Sequence, residues 1–295
     1  MDKNAIGIDL GGTRIKFVVI DEYGAILHEF VDETHDGEDA AWKTAIHDTI
    51  LSISKKLNLT DCPIGISAPG IPNANNQCIA HMPGRMQGLE NFLWSEHLKR
   101  KVYVLNDAVA ALMAEARFGA CQNTQHAILL TLGTGVGGAI LINGQPYQGA
   151  FNKAGHLGHM VIDHLGEADI TGIPGSLEDC IGNCTILKRT EGKFNSTFEL
   201  IAAAENGNAW AKEIWLRSVR QLAIGISSLT NILSPEIVVI GGGIAEAGDV
   251  LFLPLEKFME QYEWRTGGNK VEIKKAAHHD LAGAIGAAAF ALQKG

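Results

Sequence analysis

The hydrophobic and polar positions at the start of the chain follow the pattern of a two-stranded hairpin. The segment AIGIDLGGTRIKFVVID carries β-branched residues on both sides of a short glycine turn, which is typical of a β-hairpin. A second segment, HAILLTLGTGVGGAILING, repeats this pattern in the middle of the chain. When Asp9–Gly11 is laid on Thr131–Gly133, the flanking apolar residues match. The match is weak, but it indicates an internal duplication and two related halves.

The remaining apolar pattern alternates between strands and helices. A helical period of apolar residues predicts a helix over Glu38–Leu57. Short strands are predicted at CPIGISAPG, KVYVLND, EIVVIGGG and KVEIKKA, and helices at DAVAALMAEARFG, Thr197–Asn206, Ala209–Leu233 and LAGAIGAAAFALQKG. This order predicts an α/β protein with two lobes around a central cleft. We expect residues 1–118 and 281–295 in a smaller N-terminal lobe and residues 119–280 in a larger C-terminal lobe.

Composition and charge limit the class of protein. The chain has 295 residues, 46% of them hydrophobic, which is enough for one large core or two medium ones. A net charge of −9 argues against nucleic acid as a partner, because a phosphate backbone is bound by a basic face. The apolar runs are far shorter than the roughly 20 residues of a membrane span, so no membrane partner is expected. A strand follows MDKN at once and the five cysteines form no CxxC pair; we therefore expect no signal peptide, reduced thiols and a cytoplasmic protein.

Two glycine turns, DLGGT and LGTGVGG, are candidates for phosphate binding. The second matches the dinucleotide fingerprint G-x-G-x-x-G, but that fingerprint needs a following helix, and here AILING predicts a strand. A hairpin of glycines and threonines can still bind phosphate through inward-pointing backbone N–H groups. Either turn alone could be no more than a tight hairpin. The pair, the first led by Asp9 as a ligand for hydrated magnesium, favours a triphosphate.

Four motifs, DLGGTRIK, LNDAVAALMAE, LGTGVGGAI and AGHLGHMVI, occur in a characteristic order. In their order and spacing they resemble the ROK family of sugar kinases and repressors, over essentially the whole chain. The resemblance implies the actin-like ATPase fold (ribonuclease H-like), in which two lobes close on ATP and a hexose. It also implies that Gly241–Gly248 lies beside the adenosine. The expected ligands of ATP and its phosphates are Asp9 (through water and Mg²⁺), Gly11, Gly12, Thr13, Lys16, Gly133, Thr134, Gly135, Gly137, Gly241, Gly242 and Gly243.

Phosphoryl transfer to a sugar needs a carboxylate that accepts the hydroxyl proton. In VLNDAVAA, Asp107 stands where a strand ends and a helix begins. The same position suits a helix N-cap, and the two roles do not exclude each other. The resemblance implies that Asp107 is the catalytic base and that Asn106 binds sugar hydroxyls. Lys16 and Arg14 are candidate phosphate ligands, and either could instead be a solvated charge.

The segment His159–Glu178 has the length of the family's zinc loop without its cysteines. The resemblance places His159 at a histidine that ligates zinc and approaches the sugar, and it places Asp169, Thr171 and Ser176 at the three cysteine positions. Thiolates close a structural zinc site, and one carboxylate with two hydroxyls replaces them poorly. We therefore expect no zinc. Packing is expected to compensate through Ile170, Ile173 and Pro174.

The expected sugar pocket also departs from the family pattern. The resemblance matches Glu178 to the second of two family glutamates, whereas the first has become His156. His81 stands where the family commonly has a sugar-contacting asparagine, and Gly70 completes the expected set. A neutral imidazole accepts one hydrogen bond where a carboxylate can accept two from vicinal hydroxyls. We therefore expect a sugar other than glucose, or poor use of glucose, unless His156 points into packing.

The sequence thus predicts an ATP-dependent kinase for a sugar or sugar derivative, expected to be a homodimer or larger homo-oligomer. A repressor of the same family needs a helix-turn-helix ahead of the kinase domain, and AIGIDLGG begins at Ala5, which leaves no room. A catalytically weak sugar-binding or regulatory protein is suggested by the lost cysteines and glutamate. The retained Asp9, Asp107 and glycine turns argue against it, since binding alone needs no base. A filament-forming actin relative would have no use for LNDA and GHLGH.

Overall fold

The computed structural model describes residues 3–34, 40–59, 61–82, 84 and 86–295. The chain divides into two compact units, one of Met1–Asn123, Pro146–Ala154 and Ala277–Gly295, the other of Thr124–Gln145 and Gly155–Ala276. Residues 119–123, 146–154 and 277–280, expected in the second lobe, belong to the first unit. The helix predicted over Glu38–Leu57 begins at Trp42 in the structure. Residues 38 and 39 of the prediction lie outside the described residues.

The strands and helices follow one another along the chain in an alternating order. Those up to residue 118 are β1 (Ala5–Leu10), β2 (Arg14–Ile20), β3 (Ile26–Glu33), α1 (Trp42–Leu57), β4 (Ile64–Ala68), β5 (Ile71–Pro72), β6 (Ile79–His81), α2 (Trp94–Leu98), β7 (Val102–Asn106) and α3 (Asp107–Phe118). Those that follow are β8 (Ala127–Leu132), β9 (Val136–Ile142), β10 (Gln145–Pro146), α4 (Leu177–Ile181), α5 (Ile186–Arg189), α6 (Thr197–Glu205), α7 (Ala209–Leu233), β11 (Ile237–Gly241), α8 (Asp249–Tyr262), β12 (Glu272–Lys275) and α9 (Ala282–Lys294). Short 3₁₀ turns, among them Leu157–His159 and Gly243–Ala247, connect some of them.

The first unit contains a sheet in the order β3-β2-β1-β4-β7. β1 pairs antiparallel with β2 and parallel with β4, which in turn pairs parallel with β7. Alternate side chains of β1 lie on opposite faces. Ile6 and Ile8 join a cluster with the buried face of α1, and Ala5 joins a second cluster with α9. Helices therefore cover both faces of the sheet, which explains why β1 reads as a nearly continuous apolar run.

The second unit repeats this plan. Its sheet has the order β10-β9-β8-β11-β12, in which β8 pairs antiparallel with β9 and parallel with β11, and β11 pairs parallel with β12. β8 and β9 thus correspond to β1 and β2, and β11 and β12 to β4 and β7. The internal duplication predicted from the two glycine hairpins is confirmed by this shared strand order.

A long amphipathic helix, α7, organises the core of the second unit. It packs against α4, α6 and α8, and its buried residues share one cluster with the inward side chains of β8 and β11. The predicted span of α7 agrees with the structure. Within the described part of the chain, no helix is both long enough and apolar enough to cross a bilayer.

Helices α3 and α9 of the first unit approach closely at a glycine. A Cβ atom on Gly286 would overlap the carbonyl of Ala110 in α3. Gly7 and Gly65 of the sheet face α9 in the same way, against the carbonyls of Ala284 and Ala287. Small residues at this helix are therefore required by the distance between backbones, which accounts for the alanine-rich sequence at the end of the chain.

Gly286→Ala tests this close approach. At an unhindered helix position, this change stabilises a protein by up to about 1 kcal/mol. Here we expect it to lower the free energy of unfolding by about 1–3 kcal/mol, because α3 and α9 must separate. Urea denaturation measures the change. Gln293→Ala, at an exposed position of the same helix, is the control and should shift stability by no more than about 0.5 kcal/mol. Equal stability of Gly286→Ala and the parent protein would contradict the argument.

Candidate active site

The carboxyl ends of three parallel strands in the first unit bring several polar residues together. β1 ends beside Asp9, β4 beside Ser67, and β7 at Asn106, with Asp107 following. The Ser67 hydroxyl donates a hydrogen bond to Asp9 Oδ1 over 2.7 Å. Burial raises the pKa of the Asp9 carboxyl, and the negative charge of Asp107 raises it further, against the opposing effects of Ser67 and Lys16. Asp9 and Asp107 therefore lie close enough to interact electrostatically, as two parts of one site would.

Asp107 is the first residue of α3, and its side chain is exposed. Its Oδ1 accepts a hydrogen bond from the amide of Ala108 over 2.8 Å. The N-cap, however, is Asn106, whose Oδ1 accepts from the amides of Ala108 and Val109. The alternative in which Asp107 caps the helix is therefore wrong. The capping role belongs to its neighbour, and Asp107 presents a carboxylate at a helix N-terminus, where a negative charge is favoured.

Two further expected sugar ligands lie next to Asn106. The Asn106 side-chain NH₂ donates to the carbonyl of Gly70 over 3.1 Å. Gly70 precedes β5, which pairs with β6 so that Ile71 faces His81. The His81 side chain is largely exposed, and its Nδ1 lies 3.6 Å from Glu90 Oε1. The structure thus brings Asn106, Gly70 and His81 together, although the Asn106 side-chain oxygen is already used by the helix cap.

The two cations proposed as phosphate ligands both lie near an acid that the sequence analysis missed. Lys16 Nζ donates to the backbone carbonyl of Asp280 over 2.8 Å and to its Oδ1 over 2.6 Å. Arg14 lies 3.8 Å from the other carboxylate oxygen of Asp280. The Lys16 ammonium is buried and is also 3.8 Å from Asp9 Oδ2. Lys16 therefore joins the first hairpin to the segment that leads into α9, and it lies beside Asp9, the candidate magnesium ligand.

The first glycine turn is held by its own backbone and by the end of β3. The amide of Gly11 donates to the carbonyl of Arg14 over 3.1 Å. The Thr34 hydroxyl donates to the Gly11 carbonyl over 2.7 Å, and the Thr34 amide donates to the Thr13 carbonyl over 2.9 Å. Gly12 and Thr13 form the tip of the turn, where Thr13 is exposed. The turn is thus fixed from outside, with its tip available to a ligand.

The second glycine turn is braced by the segment that follows α4. The amides of Asn183 and Cys184 donate to the carbonyls of Gly133 and Thr134 over 2.9 and 2.8 Å. Within the turn, the Gly133 amide donates to the Gly135 carbonyl over 2.9 Å. These bonds fix the turn carbonyls away from a ligand, which suits a site that uses amide donors.

Glu178, on α4, contacts the same turn. Its Oε2 accepts a hydrogen bond from the amide of Val136 over 2.9 Å, and a Cβ atom on Gly135 would overlap this carboxylate. The residue expected to bind sugar therefore contacts the hairpin expected to bind phosphate. A side chain at Gly135 must displace Glu178, which the sequence alone did not indicate.

The Gly241–Gly243 loop lies next to the second glycine turn. Gly241 ends β11 and pairs with Thr131 of β8, opposite which Gly137 lies on β9. A Cβ atom on Gly242 would overlap the backbone of Leu132, immediately before the turn, whereas Gly243 has open space around it. The structure therefore gathers these candidate nucleotide ligands at one edge of the second sheet.

The loop after His159 has a carboxylate at its centre. His159 Nδ1 lies 3.2 Å from Asp169 Oδ2, and the Asp169 side chain is buried. Among the described residues, no group of three or more His, Cys, Asp or Glu side chains is placed to hold a metal ion. The expectation that packing compensates for zinc is wrong for Ile170, which is 91% exposed, and for Pro174, which is also exposed, whereas Ile173 is partly buried. His156 is partly buried and its backbone carbonyl accepts from the His159 amide.

Buried polar side chains support this region, and the sequence pattern did not identify them. Arg189 donates to the carbonyls of Ile181 and Gly182 and to the hydroxyl of Ser218. Burial lowers the pKa of Arg189 to about 10, so it remains charged at neutral pH. Its guanidinium fixes the end of α4, the helix that carries Glu178.

Comparisons with known proteins identify the family of the chain. The ROK family model matches residues 5–294. The glucokinase of Thermotoga maritima is 32% identical over 97% of this chain and 96% of its own length. The crystal structure of the ROK hexokinase from Thermus thermophilus superposes with a TM-score of 0.87 at 27% identity, covering 99% of this chain and 98% of that one. The ROK glucokinase of Streptomyces griseus, solved with glucose and AMPPNP, has a TM-score of 0.77 at 25% identity, covering 98% and 99% of the two chains.

These similarities confirm the predicted actin-like ATPase fold. The family match spans nearly the whole chain, and the motifs that predicted it occupy the glycine turns, the start of α3 and the loop after β10. The chain belongs to the ROK family.

Proposed function

We propose that this protein transfers the γ-phosphoryl group of ATP to a hydroxyl of a sugar or sugar derivative, with Asp107 as the general base. The observation that carries the proposal is the placement of Asp107: an exposed carboxylate at the N-terminus of α3, electrostatically coupled to Asp9 at the same sheet edge. A carboxylate in this position can accept the hydroxyl proton as the oxygen attacks phosphorus.

At the level of enzyme class the prediction is confirmed: the chain is an ATP-dependent carbohydrate kinase, as its similarity to ROK glucokinases shows. The alternative of a catalytically weak sugar-binding or regulatory protein has less support. It would have no use for Asp107 beside Asp9 or for two externally braced glycine turns. A binding protein needs hydrogen bonds to its sugar, but it needs neither a base nor phosphate ligands.

Asp9 suits magnesium bound through water. Mg²⁺ retains several waters and is commonly held by one or two carboxylates together with phosphate oxygens. Asp9 offers one carboxylate, which Ser67 orients and which lies near Lys16. A single carboxylate fits an ion that keeps most of its waters, and it fits poorly a cation whose ligands all come from the protein. When bound, the ion neutralises charge on the phosphates. Ser67 orients the Asp9 carboxylate, and Lys16 offsets the negative charge of Asp9 and Asp280.

The backbone turns are proposed as the phosphate ligands. In the first unit these are Gly11, Gly12 and Thr13, and in the second Gly133, Thr134 and Gly135. The carbonyls of Gly11, Thr13, Gly133, Thr134 and Gly135 accept hydrogen bonds, and the amides of Gly11 and Gly133 donate within the turns. The amides of Gly12, Thr13, Thr134 and Gly135, with the Thr134 hydroxyl, are therefore proposed as the donors to anionic oxygens. Gly241–Gly243 is proposed to lie beside the adenosine, where Gly243 leaves open space.

Candidate sugar ligands are proposed in each unit separately. The first unit supplies Asn106, Gly70 and His81, and the second supplies His156, His159 and Glu178. Because an imidazole replaces one of the two family carboxylates, we propose that the preferred substrate differs from glucose in its hydroxyl pattern. A coupled ADP-release assay over hexoses, amino sugars and polyols would identify it.

Asp107→Asn tests the base. The amide oxygen of asparagine can keep the hydrogen bond from the Ala108 amide, so the fold and sugar affinity should persist. We expect turnover to fall by at least about 100-fold, the lower end of the usual contribution of general-base catalysis. Coupled ADP release on the best sugar measures turnover, and calorimetry measures sugar binding. Asp48→Asn, an exposed change on α1, should leave both unchanged. Near-normal turnover of Asp107→Asn would exclude Asp107 as the base.

A pair of variants separates phosphate binding from sugar binding in the second unit. Gly135→Val blocks the approach of phosphate to the turn and also displaces Glu178, so we expect nucleotide affinity to fall by about tenfold or more. Glu178→Gln retains an acceptor for the Val136 amide, so nucleotide affinity should stay within about twofold while the sugar KM rises by about tenfold. Titration with AMPPNP and steady-state kinetics measure the two effects. Unchanged nucleotide affinity in Gly135→Val, with the fold intact by circular dichroism, would remove this turn from the phosphate site.

His156→Glu tests the altered sugar preference. A hydrogen bond to a charged group contributes roughly 1.5–3 kcal/mol, so restoring a carboxylate should raise kcat/KM for glucose by about tenfold or more. The comparison is the ratio of kcat/KM for glucose to that for the best sugar of the parent protein. His164→Glu, an exposed change in the same segment, is the matched control. A sugar profile identical to that of the parent protein would mean that His156 does not contact the substrate.

A further inference from the structure

Asp169 lies at the centre of a hydrogen-bond network built from the residues that occupy the cysteine positions. Its Oδ1 accepts from the Thr171 amide over 2.8 Å, from the Thr171 hydroxyl over 2.6 Å and from the Ile173 amide over 3.1 Å. Its Oδ2 lies 3.2 Å from His159 Nδ1. The side chain is only 1% exposed. Both carboxylate oxygens are thus used by protein donors.

Ser176 extends this network to α4. Its hydroxyl faces the Asp169 carboxylate and lowers the pKa of that carboxyl, and its Oγ accepts from the amide of Asp179 over 3.3 Å as the N-cap of α4. α4 carries Glu178. Asp169 therefore connects His159 to the start of the helix that bears another proposed sugar ligand.

The carboxylate of Asp169 is held in its charged form. Burial alone would raise its pKa, but the hydrogen bonds from Thr171, Ser176, Ile173 and His159 together hold the pKa well below its usual range. A buried carboxylate is stable in this form only because several donors replace its lost hydration.

The backbone closes the loop without a metal ion. The Ile162 amide donates to the Gly175 carbonyl over 2.8 Å, and the Gly175 amide donates to the Glu167 carbonyl over 2.9 Å. A structural zinc ion needs four ligands, nearly always thiolates and imidazoles. The Asp169 oxygens are already used by the loop's own donors and by His159. The residues present do not fit zinc.

We propose that Asp169 takes the place of the zinc ion as a positioning residue that fixes the orientation and tautomer of His159. A carboxylate facing Nδ1 can only accept, so neutral His159 carries its proton on Nδ1 and presents Nε2 as a hydrogen-bond acceptor. An imidazole bound to a metal through one nitrogen carries its proton on the other and presents a donor. Replacing the ion by a carboxylate therefore changes the free nitrogen of this histidine from a hydrogen-bond donor to a hydrogen-bond acceptor.

The consequence is a specificity rule for the sugar pocket. A ligand group that meets His159 Nε2 must donate, as a hydroxyl does, and a group that only accepts is disfavoured there. This step rests on the proposed function, because it takes His159 as a sugar ligand. The tautomer itself depends only on Asp169 and can be measured in the absence of any substrate.

Asp169→Asn is the isosteric test of the tautomer. The asparagine Oδ1 can keep the bonds from Thr171 and Ile173, while its NH₂ group replaces the oxygen that faces His159. That group donates to Nδ1 and moves the imidazole proton to Nε2. Nitrogen-15 NMR of the full-length protein, with the His159 signal assigned by its loss in His159→Gln, should show an Nδ1-protonated ring in the parent and an Nε2-protonated ring in the variant. An Nε2-protonated or doubly protonated ring in the parent at neutral pH would overturn the proposal.

A double-mutant cycle separates positioning from a general structural role. We expect Asp169→Asn to raise the sugar KM by about tenfold while the ATP KM stays within about twofold. In a His159→Gln background the same change should have no further effect on the sugar KM, since the residue through which Asp169 acts is gone. Asp163→Asn, in the same loop, is the matched control and should change neither constant. An equal rise in sugar KM in both backgrounds would overturn the positioning role.

Metal analysis gives an independent measurement. The purified protein should contain well under one zinc ion per chain, and a chelator should leave its melting temperature unchanged, whereas Asp169→Ala should lower it. Stoichiometric zinc that a chelator removes with loss of stability would overturn the replacement of the ion. If the parent phosphorylates no sugar in the panel, the proposed function fails, and the NMR and metal measurements still decide the role of Asp169.

Discussion

The direction of the strands is the constraint on which the proposed site depends. In each unit a hairpin contributes its first strand to a run of three parallel strands, β1-β4-β7 and β8-β11-β12. Parallel strands end at the same edge of a sheet, so whatever follows each strand is gathered there. In the first unit this brings the glycine turn, Ser67 and Asp107 together. In the second it brings the Gly133 turn beside Gly241. The duplication thus produces two glycine turns in equivalent positions, and the chemistry differs because only the first unit follows its third parallel strand with an aspartate at a helix N-terminus.

Much of this arrangement could be predicted from sequence, because it depends on local signals. Apolar periodicity predicted α7 and α1, the glycine turns predicted both hairpins, and the step from strand to helix located Asp107. The edge strand β3 was not predicted, since several of its apolar residues are exposed and follow no clean alternation. The roles of Ser67, Asp280 and Arg189 were not predicted either. Each acts through a partner distant in sequence, such as Lys16 with Asp280, and a single sequence contains no signal for that pairing.

The proposed replacement of a zinc ion by Asp169 would not preserve the chemistry of the ion. A structural zinc ion contributes folding free energy directly, whereas the net contribution of each hydrogen bond is about 0.5–1.5 kcal/mol, somewhat more where one partner is charged. Asp169 offsets the small contribution of each bond by accepting hydrogen bonds from several donors on one buried carboxylate. The expectation that Ile170 and Pro174 would compensate through packing assumed an apolar replacement. The loop is too small and too exposed for that. Its backbone already directs the amides of Thr171 and Ile173 at the Asp169 carboxylate. A carboxylate is the anion that such a cluster of donors favours.

A carboxylate and a metal ion nevertheless give a neighbouring imidazole different hydrogen-bonding roles, and in our proposal this difference affects substrate choice. Zinc accepts an electron pair from a histidine nitrogen, whereas Asp169 accepts a hydrogen bond from it. The other ring nitrogen is therefore a hydrogen-bond donor beside zinc and an acceptor beside Asp169. Glu178, by contrast, keeps its carboxylate and is held by the Val136 amide of the phosphate turn. One proposed sugar ligand, Glu178, is therefore bonded to the proposed phosphate turn, and the other, His159, contacts Asp169. Because Glu178 bonds the proposed phosphate turn through its own carboxylate, substitutions at His156 and His159 leave that hydrogen bond in place.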